Sequence, residues 1–133
     1  MNVLFVCRQN IGRSQMAMSL FNKYIQKGCA DSRGTEVETE GMSLIEFGAN
    51  NTILALQEIE QIDGRHLKSI QIQKEDLDVC DVVIIMSEPN NTPDWLEHST
   101  KTERWDIPDT KSSDYETTVI VFNDLKKRII ERF

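Results

Sequence analysis

The stretch Val3-Leu4-Phe5-Val6-Cys7-Arg8-Gln9-Asn10-Ile11-Gly12-Arg13-Ser14 runs from five apolar residues straight into a polar turn. A short apolar run without polar alternation is what a parallel strand covered on both faces requires. Beyond the turn, Met16, Ala17, Leu20 and Tyr24 recur at helical spacing, predicting a helix over about 13–27, with Gly28 as its stop. Lys23 and Lys27 suit its negative end. The turn therefore lies between a buried strand and a helix start, where backbone N–H groups and the helix dipole favour an anion. Gly12 eases a tight bend, and Asn10 tolerates left-handed backbone geometry. Arg13 offers a planar two-pronged donor for phosphoryl oxygens. A cysteine in that field, with Ser14 available to donate to sulfur, is biased towards the thiolate. Arg8, Gln9, Asn10, Ile11, Gly12, Arg13 and Ser14 are thus the candidate phosphate-binding residues around a candidate nucleophile, Cys7.

Working outward, Val82 to Met86 is a second wholly apolar strand, entered through a short helical turn at 74–78. Val37 to Glu40 and Lys101 to Asp106 are weaker, polar strands of edge character. A helix carrying Ile53, Leu56 and Ile59, capped by Asn50 or Asn51, ends before Gly64. Ser113-Asp114-Tyr115-Glu116 fits a capping box that opens a last helix closed by Lys126, Lys127, Arg128 and Arg132. Strands alternating with helices predict an α/β fold. The expected architecture is a doubly wound, four-stranded parallel sheet of order 2-1-3-4 with helices on both faces, a flavodoxin-like three-layer α/β/α arrangement. Such sheets bind ligands beyond the carboxyl ends of the strands, where strand order reverses, which is where the first strand delivers Cys7.

The 133 residues fit a single domain spanning 1–133. A formal charge of −7 disfavours nucleic acid or anionic membrane as partners. No apolar run is long enough to span a bilayer, and the N-terminus has no signal-peptide pattern. Cysteines 7, 29 and 80 are odd in number and irregular in spacing, as in a reduced, cytoplasmic chain. No C-x-x-C pair occurs and His66 and His98 are isolated, so neither metal nor cofactor is expected.

The run VLFVCRQNIGRSQMAMSLF resembles the N-terminus of the low-molecular-weight protein tyrosine phosphatase family, whose signature is C-x5-R-S after the first strand. The likeness continues through Asp81-Val82-Val83-Ile84-Ile85-Met86 to Trp105-Asp106-Ile107-Pro108-Asp109. It implies a cysteine-dependent phosphomonoester hydrolase working through phosphocysteine, with Cys7 attacking phosphorus, Arg13 binding the phosphate and Asp109 protonating the leaving group. A leaving aryl oxide needs such an acid, and a loop beyond the fourth strand lies at the correct end of the sheet. Asp106 is the rival acid. The resemblance also implies a network of Asn10, Ser14, Thr39 and His66 supporting the loop, although a plain structural role for His66 is favoured on its own. The implied partner is a phosphotyrosine protein or a small aryl phosphate, and the expected state is a monomer.

The sequence departs from the family at four places. Gly12 replaces a second loop cysteine, Gln9 a common glycine, and Thr110 the proline after the acid. No aromatic follows Asp109, which leaves Phe47 as one wall. GRSQMA also resembles arsenate reductases of this fold, which relay a disulfide through two further cysteines. Ser87 stands where the first relay cysteine would lie, and Cys80 and Cys29 are each expected ~20 Å from Cys7, beyond disulfide reach. Arsenate reduction with an external thiol and a non-catalytic phosphate-binding module are the alternative readings.

Overall fold

A computed structural model describes residues 1–133. Its strands and helices are, in chain order, β1 (Asn2–Cys7), α1 (Arg13–Tyr24), β2 (Cys29–Gly34), α2 (Leu44–Phe47), α3 (Asn50–Glu60), β3 (Val82–Ile85), α4 (Asp94–Glu97), β4 (Thr102–Arg104) and α5 (Tyr115–Arg132). The four strands are parallel, in the order β2-β1-β3-β4. This is the expected doubly wound sheet.

Alternation along β1 divides the core. Val3, Phe5 and Cys7 face the larger cluster, built with Met16, Leu20 and Phe21 of α1, Leu56 of α3 and Phe122, Leu125 and Ile129 of α5. Leu4 and Val6 face a smaller cluster with Val83, Ile85, Ile72 and Leu96. Helices cover both faces, but unequally. The second face has only α4 and the 3-10 turn Lys74–Asp78, where a helical turn was expected.

The second strand corrects the sequence reading. It is Cys29–Gly34, and Val37 to Glu40 lies in a loop beyond it. α1 ends at Tyr24, short of Gly28, because the chain turns there to pair Cys29 with Asn2. Ser32 and Gly34 are buried while Cys29 and Asp31 are exposed, so the strand has no apolar signature of its own. Register with β1 places it. Two caps also differ. α3 starts after Ala49 without a side-chain cap, and Asn51 Nδ2 instead donates to Ser113 O at 3.1 Å. Asp114, not Ser113, caps α5 by accepting from Thr117 N at 2.8 Å.

The helical layer is tied by one buried carboxylate. Glu60, at the end of α3, accepts from Lys23 Nζ and Lys126 Nζ, each at 2.9 Å, and from the Tyr24 hydroxyl. Burial alone would raise its pKa, but those three donors outweigh it and hold it at about 2 against an ordinary 4.5. A depressed carboxylate stabilises the fold above its unfolded pKa and ceases to do so as pH falls through the folded one. Glu60→Gln should therefore cost stability at pH 7, on the order of 3 kcal/mol. The gap to wild type should close between about pH 4.5 and pH 2. Urea unfolding across that range checks it, and a gap independent of pH contradicts it.

Candidate active site

Residues 8–12 leave the end of β1 and curl into the first turn of α1. Every backbone N–H from Arg8 through Gln15 lacks a protein acceptor; the first to bond is that of Met16, to Gly12 O at 3.0 Å. α1 has no side-chain cap and no acid in its first turn, so its positive end is not quenched by its own sequence. Loop and helix start together present a row of free donors around Cys7.

The loop keeps this path because it lies tightly on β2. Thr35 N donates to Cys7 O at 2.9 Å and Glu36 N to Arg8 O at 2.8 Å. A Cβ on Gly34 would come within 2.8 Å of Arg8 O and 2.9 Å of Asn10 N, so only glycine lets the two segments approach. Asn10 takes the left-handed conformation, φ 58°, as its residue type allows. Gly12 has φ −108°, and its role is space rather than a left-handed bend. A Cβ there would stand 3.1 Å from Thr110 Oγ1.

A closed buried network sets the loop side chains. Asn10 Oδ1 accepts from Ile70 N at 2.9 Å, an unambiguous donor, which fixes the amide orientation. Its Nδ2 then donates to Ser14 Oγ at 2.8 Å and Ser32 Oγ at 2.9 Å. Gln15 Nε2 donates to the carbonyls of Asn10 and Lys68, at 3.0 and 2.9 Å, which leaves Gln15 Oε1 to receive Ser32 Oγ at 3.3 Å. Ser69 Oγ donates to Asn10 O at 3.1 Å. With Asn10 supplying its acceptor contact, Ser14 keeps its own proton for Cys7 Sγ, 3.0 Å away. The network thus aims one O–H at the sulfur.

Thr39 and His66 lie outside this network. The Thr39 hydroxyl is buried without a hydrogen-bond partner, and His66 is exposed. Gln15, Ser32 and Ser69 occupy the supporting positions instead. Only Gln15 left a trace in the sequence, as a polar residue on the buried first turn of an amphipathic helix.

Arg13 is buried, with 3% of its side chain exposed. Nη1 donates to Met86 O at 2.6 Å and Ile107 O at 3.1 Å, tying the guanidinium to the chain just beyond β3 and β4. Burial works against its charge, but Cys7, Glu88 and Asp109 outweigh that and raise its pKa. Asp109 Oδ2 lies 3.9 Å from Nη2, and Oδ1 accepts from Lys111 N at 3.0 Å. Cys7, Arg8, Gln9, Ile11, Gly12, Arg13 and Asp109 line one cavity of about 180 Å³. Phe47 and Thr110 complete its mouth, while Asp106 is exposed and is not among the lining residues. Cys29 and Cys80 are remote. Cys29 pairs with Asn2 at the amino end of the sheet, and Cys80 precedes β3 at that same end.

A cysteine cradled by free amides, beside a buried arginine and a carboxylate, is the arrangement of a cysteine-dependent phosphatase. The family model for low molecular weight phosphotyrosine protein phosphatase matches residues 2–132, and the chain belongs to that family. Comparison with curated proteins finds no match. Among solved structures, the low molecular weight protein tyrosine phosphatase from T. tengcongensis is 23% identical with a TM-score of 0.82, over 100% of this chain and 99% of that one. The YwlE arginine phosphatase from Geobacillus stearothermophilus is 25% identical with a TM-score of 0.82, over 98% and 89%. The phosphatase SP-PTP from Streptococcus pyogenes is 22% identical with a TM-score of 0.81, over 99% and 92%.

Proposed function

We propose that this phosphatase hydrolyses phosphotyrosine or a similar aryl phosphate through a phosphocysteine, with Cys7 as nucleophile, Arg13 as phosphate clamp and Asp109 as general acid. The observation that carries the reading is the run of unbonded amides from Arg8 to Gln15 around Cys7. Those dipoles, the uncapped start of α1 and Arg13 stabilise charge on the equatorial phosphoryl oxygens as the group moves from oxygen to sulfur. Ser14 donates to the sulfur and stabilises it as attacking and, later, as leaving group. Asp109 gives its proton to the departing aryl oxide. As a carboxylate it then takes a proton from the water that cleaves the S–P bond, which returns the thiolate and inorganic phosphate.

Phe47 offers an aryl ring an apolar wall, and the polar segment Thr110 to Ser113 also lines the cavity. No helix is long and apolar enough to cross a membrane. A monomer in a reducing, cytoplasmic setting suits the three free cysteines, and the net charge of −7 speaks against nucleic acid as partner.

The test is to offer the wild-type protein a chromogenic aryl phosphate, a phosphotyrosine peptide, a phosphoarginine peptide and, in parallel, arsenate with an external thiol. The aryl phosphate and the phosphotyrosine peptide should turn over, with phosphoarginine slower. Phosphoarginine as the faster substrate would reassign the substrate class. Arsenate-dependent thiol oxidation without ester hydrolysis would overturn the hydrolase reading.

A further inference from the structure

Arg13 does not stand alone. Glu88 Oε2 accepts from Nη1 at 3.2 Å and Oε1 from Nη2 at 3.3 Å, so the carboxylate straddles the edge of the guanidinium between its two terminal nitrogens. Nη1 is already committed to Met86 O and Ile107 O. Nε makes no hydrogen bond to a protein acceptor, and Nη2 makes one, to Glu88, with Asp109 Oδ2 beyond hydrogen-bond distance at 3.9 Å. The uncommitted edge of the fork is therefore Nε/Nη2, whose two parallel N–H groups match two phosphoryl oxygens. Glu88 is not among the residues lining the cavity, whereas Arg13 and Asp109 are. It holds the guanidinium from outside the cavity lining.

Its backbone is prepared for this. Pro89 restricts the residue before it to extended geometry, and Glu88 has φ −64° and ψ 151°. Its carbonyl accepts from Asn91 N at 2.9 Å and Thr92 Oγ1 at 2.8 Å. Little further ordering is needed to present the carboxylate, although 44% of the Glu88 side chain is exposed.

We propose that Glu88 is a positioning residue: by occupying the Nη1/Nη2 edge of Arg13 it turns the Nε/Nη2 edge towards the phosphoryl group. This rests on the reading of Arg13 as phosphate clamp. Two opposite effects follow from such a carboxylate, since its charge offsets some of the attraction for an anion while its geometry fixes the fork. Geometry dominates, because one fork orientation serves bidentate capture and a rotated guanidinium offers a single donor.

The experiment is a double-mutant cycle of Glu88→Ala and Arg13→Lys, read by aryl phosphate kinetics and by calorimetric binding of inorganic phosphate. Glu88→Gln serves as a shape-preserving second variant. Glu88→Ala should lower kcat/KM and weaken phosphate binding in parallel, each by roughly 10- to 100-fold, with Glu88→Gln intermediate. In the Arg13→Lys background, Glu88→Ala should cost less than about twofold, because an ammonium has no edge to orient. Wild-type kinetics and phosphate affinity in both Glu88 variants would overturn the proposal. So would an equal loss in both backgrounds, the mark of a merely structural residue. If the wild-type protein lacked turnover, the hydrolase reading would fall, while the phosphate-binding arm would still decide on Glu88.

Discussion

Cys7→Ser is expected to abolish measurable aryl phosphate turnover and to leave inorganic phosphate binding within a few fold of wild type. The two readouts part because the site separates grip from attack. Grip comes from the amides of residues 8–15 and from Arg13, none of which depends on the sulfur for its position. Attack needs an electron pair on the residue at the end of β1. A serine hydroxyl stays protonated near neutral pH, and Ser14, whose proton is aimed at position 7, cannot act as its base. The substitution is also small: oxygen in place of sulfur at a buried site already facing a hydroxyl at 3.0 Å should change stability by less than about 1 kcal/mol. Urea unfolding of the variant confirms that loss of rate is not loss of fold. Wild-type turnover in Cys7→Ser would remove the nucleophile assignment outright.

Asp109→Asn should reduce kcat by about 10² to 10⁴ for a phenyl-type leaving group. The size of the loss should depend on that group. A poor leaving oxide departs only as it is protonated, whereas a strongly electron-withdrawn phenolate leaves unaided, so the penalty should shrink as the leaving-group pKa falls. A series of substituted phenyl phosphates gives this directly, as a steeper dependence on leaving-group pKa in the variant. Asp106→Asn is the control. It is exposed and does not line the cavity, and its effect should stay within about twofold. A loss at Asp109 that is the same for every leaving group would assign that residue to holding Arg13, 3.9 Å away, rather than to proton transfer.

How much of this was legible in the chain depended on whether the signal was local. β1 from Val3 onward and the whole of β3 are apolar because both faces are covered, and that pattern survives any tertiary context. From them the sheet order and the end at which the site lies could be read, with Cys7 and Arg13 directly after β1; Asp109 was named by the family resemblance, with Asp106 as its rival. β2 could not be located in this way. Cys-Ala-Asp-Ser-Arg-Gly is an edge strand with few buried positions, chosen by its register against Asn2 to Cys7 and not by its own hydropathy. Ser32 and Ser69 were invisible for a related reason. Each is an ordinary polar residue until the topology brings it to Asn10, over separations of 22 and 59 residues. Resemblance named Thr39 and His66 for that support, but in this chain the loop is braced by serines and a glutamine, and the histidine stands in solvent.

A receptor assembled from peptide N–H groups has no proton to lose at any pH the fold survives. The pocket's hold on an oxyanion therefore keeps the same dipoles throughout. The specification is also stored in the course of the main chain more than in its side groups. Arg8, Gln9 and Ile11 could therefore be exchanged freely at the rim, whereas Asn10, in its left-handed turn, and Gly34, pressed against the loop backbone, are the positions where drift would erase the receptor.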